Sequence, residues 1–230
     1  MQIILASQSP SRASILRGAG VEPVLRPAHV DEASLIDSLG DAAPAEVVSQ
    51  LAVAKAKKIA PDFPNDVVIG GDSMLLLDGQ LQGKPHTIDA TISRWEQQAG
   101  KTAELLTGHC VIWGDQVHVE TSKTTVRFAQ ATMADIRAYA HTGEPLECAG
   151  AFTLEAIGGW FIDRIDGDPS SVIGLSLPVV RRALYSFGLS VSEFWAPRTD
   201  PCTTNDTTNA GNITTPTTQG SAPPLSPVTN

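Results

Sequence analysis

Apolar runs and amphipathic stretches alternate along the chain as far as about Phe194. Ile3-Ile-Leu-Ala6 reads as a short strand. Ser9-Pro10 behind it has the form of a helix start, because serine suits the cap position and proline the first turn. The spacing predicts a helix over 10–17, stopped at Gly18 or Gly20, and a longer one over 44–59 behind Pro44. Val67-Val-Ile69 reads as a buried strand, and residues 74–77 continue extended to the turn signal Asp78-Gly79. Residues 87–99 are predicted helical up to Gly100. Strands over 109–113 and 117–128 form a second hairpin around Gly114-Asp115. Thr132 with Asp135 has the form of a capping box, opening a helix that ends at Gly143. Residues 160–165 alternate as a strand, and Pro178 opens a last helix closed by Gly188. Hairpins mixed with helical crossovers imply an α/β or α+β sheet rather than a pure doubly wound one, and no internal repeat is evident.

The pattern stops near Trp195-Ala196-Pro197. Residues 197–230 are dominated by Thr, Pro, Asn, Ser and Gly, so they lack the apolar surface that offsets ordering entropy and are predicted to be a disordered tail. Residues 1–196 are then one substantial domain, or two small lobes sharing a core. With 16 Lys+Arg against 25 Asp+Glu the net charge is −9, which argues against general nucleic-acid binding. The three cysteines, Cys110, Cys148 and Cys202, form no CxxC, excluding a disulfide scaffold and a standard structural zinc site. No apolar run approaches the ~20 residues that span a bilayer. The expectation is a soluble cytoplasmic protein.

Candidate chemistry begins at the first strand-to-helix junction, Leu5-Ala-Ser-Gln-Ser-Pro-Ser-Arg12. Free N–H groups at a helix start favour an anion, and Ser7 and Ser9 add hydroxyls. Arg12 opposes the helix dipole unless an anion lies between them, although a capped helix with a solvated arginine would look the same. Lys55 shares the helical stripe of Val48, Leu51, Ala52 and Ile59, whereas Lys57 and Lys58 point elsewhere. It either snorkels to a rim or reaches a phosphate at a cleft floor. Val67-Val-Ile-Gly-Gly-Asp72-Ser73 puts a carboxylate at the predicted tip of an apolar strand, where the glycines admit a ligand or a neighbouring backbone. If Leu77 pairs with Gln80 across the turn, Ser73 lies opposite Lys84 and Asp72 opposite Pro85. Asp72 and Lys84 are then a surface ion pair, or a base or metal ligand beside a phosphate clamp. Glu32 is a second carboxylate, placed in a loop, of the kind a hard divalent cation takes together with phosphate oxygens. His109 reads as structural, and Asp166-Gly-Asp-Pro-Ser170 as a turn. There is no GxSxG, Walker A or GxGxxG.

Taken in order, these segments resemble the Maf family of nucleoside triphosphate pyrophosphatases. The matching stretches are LASQSPSR at 5–12, VDE at 30–32, AVAKAKK at 52–58, VIGGDS at 68–73, QGKP at 82–85, LLTGH at 105–109, TVRF at 125–128, GEPLECAGAF at 143–152 and DGDPSSVIGLSLP at 166–178. The resemblance implies an α/β, two-lobed mixed β-sheet with flanking helices and a central nucleotide-binding cleft, often dimeric. It also implies hydrolysis of a nucleoside triphosphate to the monophosphate and pyrophosphate with a divalent metal, Mg²⁺ or Mn²⁺. By position, Asp72 falls on the family's proton acceptor, Arg12, Lys55 and Lys84 on its phosphate-binding cations, Ser7 on its N-terminal loop, and Glu32, with Asp72, on the metal side.

The chain departs from the family pattern in three places. Ser11 stands where many members carry a second arginine, and Gly71-Asp72-Ser73 replaces a commoner Ala-Asp-Thr. Glu147-Cys148 precedes the Ala-Gly where members acting on dTTP and UTP tend to have a basic residue, while the 7-methyl-GTP branch more often shows an acid and cysteine. Glu147 is thus a candidate for contact with the base, or a loop carboxylate far from it. Specificity for 7-methyl-GTP is one rival to broad hydrolysis. A non-catalytic nucleotide-binding regulator of septum formation is another, disfavoured because Asp72 and all the cations are present together. Neither a nucleic acid nor a membrane is an expected partner; the nucleotide is, and a homodimer is allowed by the resemblance.

Overall fold

The computed structural model describes residues 1–196; the predicted tail and Cys202 lie outside the described residues. Seven strands form one mixed sheet in the order β2-β1-β3-β5-β6-β7, with β4 on the edge of β3. These are β1 (Ile3–Leu5), β2 (Val24–Leu25), β3 (Val67–Leu77), β4 (Gln80–Gln82), β5 (Thr102–Trp113), β6 (Gln116–Phe128) and β7 (Ile162–Asp166). β1 pairs in parallel with β2 and β3, whereas β3–β4, β3–β5, β5–β6 and β6–β7 are antiparallel. The helices are α1 (Pro10–Gly18), α2 (Glu32–Leu39), α3 (Pro44–Ile59), α4 (Ile88–Gln98), α5 (Met133–His141), α6 (Pro169–Ile173) and α7 (Leu177–Ser186).

Side chains alternate across a strand, so each face of β3 has its own cover. Val67 and Ile69 pack with Ile3 and Leu5 against Leu16 of α1 and Val180 and Leu184 of α7. Further along the same face, Leu75 and Leu77 join Leu105, Val126 and Phe128 around Trp95 of α4 and Ile136 and Tyr139 of α5. The opposite face carries Val68, Ile4, Cys110 and Ile112 against Ala52 and Ala56 of α3. Two helical groups therefore share one face of the sheet, and α3 covers the other.

Three differences from the sequence expectations bear on the site. Asp72 is not at a strand tip but in the middle of β3, because β5 pairs with β3 continuously from Val68 to Leu76 and keeps the backbone extended through the glycines. Glu32 is not in a loop: it is the first residue of α2, whose cap Asp31 accepts from the Ser34 N–H at 3.0 Å. The β3–β4 register is the expected one, with Leu77 opposite Gln80 and Leu75 opposite Gln82, but the ladder ends there. Beyond it Gly83 O accepts from Gly150 N (3.2 Å) and from Arg94 Nη1, and His86 N donates to Leu146 O at 2.9 Å. These bonds draw Lys84 and Pro85 away from Ser73 and Asp72 towards residues 146–150. Residue 160 belongs to a 3₁₀ turn, and β7 starts at Ile162.

Candidate active site

β3 has different partners along one of its edges. β1 takes Val67, Val68 and Ile69, β4 takes Leu75, Leu76 and Leu77, and residues 70–74 are left open between them. A cleft of about 780 Å³ lies at this gap, and Ser7, Arg12, Glu32, Lys55, Asp72, Lys84 and Glu147 all line it. The structure thus brings every sequence-predicted site residue to one cavity.

Asp72 faces α3, on the same side of β3 as Gly70. A Cβ on Gly70 would stand 2.2 Å from the Ala52 carbonyl oxygen and 2.7 Å from the Ala56 nitrogen, so only glycine lets the α3 backbone lie this close. Gly108, paired with Asp72 across the sheet, does the same for Val48, whose carbonyl oxygen would be 2.3 Å from an added Cβ. That contact sets Lys55 over Asp72. The buried Lys55 ammonium lies 2.6 Å from Asp72 Oδ1 and 2.7 Å from Glu32 Oε1. Lys57 and Lys58, off the stripe, are exposed, and Lys58 donates to the His29 carbonyl at 2.6 Å. Burial pushes the Asp72 carboxyl above its ordinary range, while Lys55 and Arg12 pull it back.

Arg12 comes from the other face of β3. An added Cβ on Gly71 would stand 3.4 Å from its Nε. The buried guanidinium donates from Nε to Gly174 O (2.7 Å), from Nη1 to Ser7 Oγ (3.0 Å) and from Nη2 to Ser73 Oγ (3.1 Å). A guanidinium has five N–H groups, so each terminal nitrogen keeps one for an incoming anion. Burial lowers its proton affinity, and the charges of Asp72 and Glu32 work against that shift. Ser7 Oγ also accepts from Ser9 N at 3.1 Å. Ser9 occupies the cap position of α1 without a side-chain cap bond, so the first N–H groups of α1 remain available at the cleft.

Lys84 and Glu147 are exposed. Lys84 Nζ donates to Glu147 Oε2 at 3.1 Å, and the other carboxylate oxygen of Glu147 meets His86 Nδ1 at 3.0 Å. These partners hold the Glu147 carboxyl below its ordinary range, His86 contributing most. The carboxylate considered for base contact is thus engaged by two cationic or potentially cationic neighbours.

Sequence reasoning placed Ser73 beside Asp72 without giving it a role, and did not single out Gly174, which orients Arg12 together with Ser73, or Thr107, whose Oγ1 lies 3.0 Å from Ser73 Oγ and donates to Ser171 O at 2.9 Å. The signal was present in LLTGH and in SSVIGLSLP. Asp166–Ser170, where the sequence suggested only a turn, holds the cap Asp168 and the first residues of α6. His109 is structural, as expected: it is fully buried, accepts from Ser176 N at 2.8 Å and donates to Glu120 O at 3.3 Å.

The family model described as Maf-like protein matches residues 2–187. A nucleoside triphosphate pyrophosphatase of Corynebacterium aurimucosum is 74% identical over 196 residues, covering 85% of this chain and 99% of the relative. One of the same name from Rhodococcus opacus is 54% identical over 204 residues, covering 84% and 95%. Among solved structures, the Staphylococcus aureus Ham1 protein matches at TM-score 0.38 and 15% identity over 57% of this chain and 73% of that one. The long family match and the high identity over nearly whole relatives agree with the order of motifs along the chain, which belongs to the Maf family.

Proposed function

We propose that this chain is a nucleoside triphosphate pyrophosphatase, hydrolysing its substrate to the monophosphate and pyrophosphate. The observation that carries the reading is the pair Lys55–Asp72 with Arg12 opposite, a buried carboxylate between two buried cations at the floor of one cleft. The name carried by the relatives supports the same reaction. Arg12, Lys55, Lys84 and the N-terminus of α1 supply positive charge where a triphosphate needs it, and preorganised charge of this kind stabilises a phosphoryl-transfer transition state. Lys55 binds Asp72 through Oδ1, which leaves Oδ2 for a water molecule. Asp72 takes a proton from that water as its oxygen bonds to the α-phosphorus. The bond from the α-phosphorus to the bridging oxygen breaks, and the electron pair leaves with pyrophosphate. A carboxyl with raised proton affinity suits the task of a base.

The residues present fit a divalent cation. Asp72 and Glu32 are carboxylates close enough to share one ammonium, and Mg²⁺ or Mn²⁺ is usually held by one or two carboxylates with phosphate oxygens and water. No cluster of three or more His, Cys, Asp or Glu exists among the described residues, so the phosphates would complete the coordination. When bound, such an ion neutralises phosphate charge and acidifies water.

The test is pyrophosphate release from a nucleotide panel that includes 7-methyl-GTP, dTTP, UTP and ATP, with Mg²⁺ or Mn²⁺ and with Asp72→Asn as control. Pyrophosphate formed by the wild type and lost in the variant is the expected result. Orthophosphate alone would overturn attack at the α-phosphorus, and nucleotide binding without turnover would favour the regulatory binder. Engagement of Glu147 by Lys84 and His86 supports a rim charge rather than a base reader, so the reading is not narrowed to 7-methyl-GTP.

A further inference from the structure

Glu144 does not line the cleft, yet it holds one of its walls. It follows α5 at the start of a 3₁₀ turn and is partly buried. Its Oε1 accepts from Tyr139 Oη (3.1 Å), from Gly158 N (3.0 Å) and from Thr153 Oγ1, and its Oε2 accepts from Ile157 N at 3.1 Å. Four donors thus converge on one carboxylate, three at Oε1 and one at Oε2. The loop of residues 153–158 is closed tightly around this hub: an added Cβ on Gly158 would stand 2.5 Å from the Thr153 carbonyl oxygen and 2.5 Å from Tyr139 Oη. Tyr139 Oη in turn accepts from Thr153 N at 3.2 Å.

This loop gives the cleft Thr153 and Glu155, and the residue before it gives Phe152. None of these three is a cation and Glu155 is an acid, whereas Arg12 and Lys55 lie at the cleft floor and Lys84 at its rim. Phosphates go to cations and away from a carboxylate, so this wall suits the nucleoside. We propose that Glu144 is a positioning residue: it fixes the 153–158 loop as the wall that receives the nucleoside, and so governs discrimination among nucleotides without touching them. The assignment rests on the nucleoside triphosphate reading of the cleft. A neutral amide cannot replace the carboxylate, because its NH₂ would confront backbone N–H groups and leave a donor unpaired.

The experiment compares Glu144→Gln and Tyr139→Phe with the full-length wild type. Calorimetry gives dissociation constants for α,β-methylene triphosphates of several bases and for inorganic tripolyphosphate, and pyrophosphate release is measured alongside on the natural nucleotides. Expected is a loss of nucleotide affinity of about tenfold in Glu144→Gln and about threefold in Tyr139→Phe, unequal between bases, with tripolyphosphate affinity within about twofold of wild type. Unchanged nucleotide affinity in both variants would overturn the proposal, as would a parallel fall for tripolyphosphate. If Glu144→Gln does not fold, Tyr139→Phe decides by the same criteria, because it keeps the core ring and removes one hydroxyl. The expected binding differences without wild-type pyrophosphate release would support the positioning role and overturn hydrolysis alone. Failure of the wild type to bind any nucleotide would overturn both.

Discussion

At the scale of single residues, Asp72 carries the sharpest expectation. Asp72→Asn keeps the shape and removes the proton acceptor, so turnover should fall roughly 10²–10⁴-fold, as for loss of a general base. The fold should survive, and steady-state kinetics with a thermal melt checks both. Lys84 behaves differently because it is exposed and paired with Glu147, a contact contributing roughly 0–1 kcal/mol. Lys84→Met should raise KM by about tenfold, the loss of one charge-assisted bond to phosphate, with kcat changed less; unchanged KM and kcat would remove it from the clamp. His109 sets a pH limit on the scaffold. Burial foremost, with the Arg12 charge, lowers its pKa from the model-peptide value of 6.5 to about 4. The unfolded chain therefore binds a proton near pH 6.5 that the folded chain refuses until about pH 4, and stability falls as pH drops through that window, by up to about 3 kcal/mol. Denaturant midpoints between pH 7.5 and 4.5 should show a shallower slope in His109→Gln than in wild type.

At the scale of elements, the decisive contact is α3 on β3 and β5. Helical periodicity alone placed Lys55 on the apolar stripe, and the glycine pair already signalled a close approach at β3. What approaches Gly70 is helix backbone, and that became visible only with the sheet and α3 assembled. Gly70→Ala should cost roughly 1–3 kcal/mol through overpacking, and it should also reduce turnover by lifting Lys55 from Asp72. Urea midpoints and kinetics measured together test this, since an unchanged midpoint would mean that α3 tolerates the methyl. α2 escaped detection because its start, Asp31-Glu32, reads locally as loop acids, although Asp31 caps it and Leu35, Ile36 and Leu39 follow at helical spacing. The extent of β3 was missed for another reason: Gly-Gly-Asp-Ser has poor strand propensity, and pairing with β5 overrides it.

At the scale of the whole molecule, the cleft exists because β1 and β4 occupy different stretches of one edge of β3. Arg12 and Lys55, on opposite faces of the sheet, meet in the gap around Asp72. Ala196 N donates to the Gly20 carbonyl at 2.8 Å, tying the end of the described chain to the turn after α1. Residues 197–230 carry almost no large apolar side chain to add to a core, and no candidate site residue lies among them. Truncation after residue 196 should therefore leave the melting temperature within about 2 °C, a shift below roughly 1 kcal/mol, and kcat/KM within about twofold. A larger loss would give residues 197–230 a part in the enzyme.

The order of motifs, the helical stripe of Lys55 and the Leu77–Gln80 register follow from the sequence, because periodicity and turn chemistry are local. The central position of Asp72 in β3, the exit of Lys84 from the ladder and the bonds of Arg12 to Ser73 and Gly174 were decided by the tertiary structure. Each depends on groups distant in the chain: β5 satisfying the backbone of β3, Gly150 and Arg94 capturing Gly83, and α6 bringing a carbonyl to a buried guanidinium. Buried polar groups must find partners wherever the fold supplies them, and local spacing carries no record of where those partners will be.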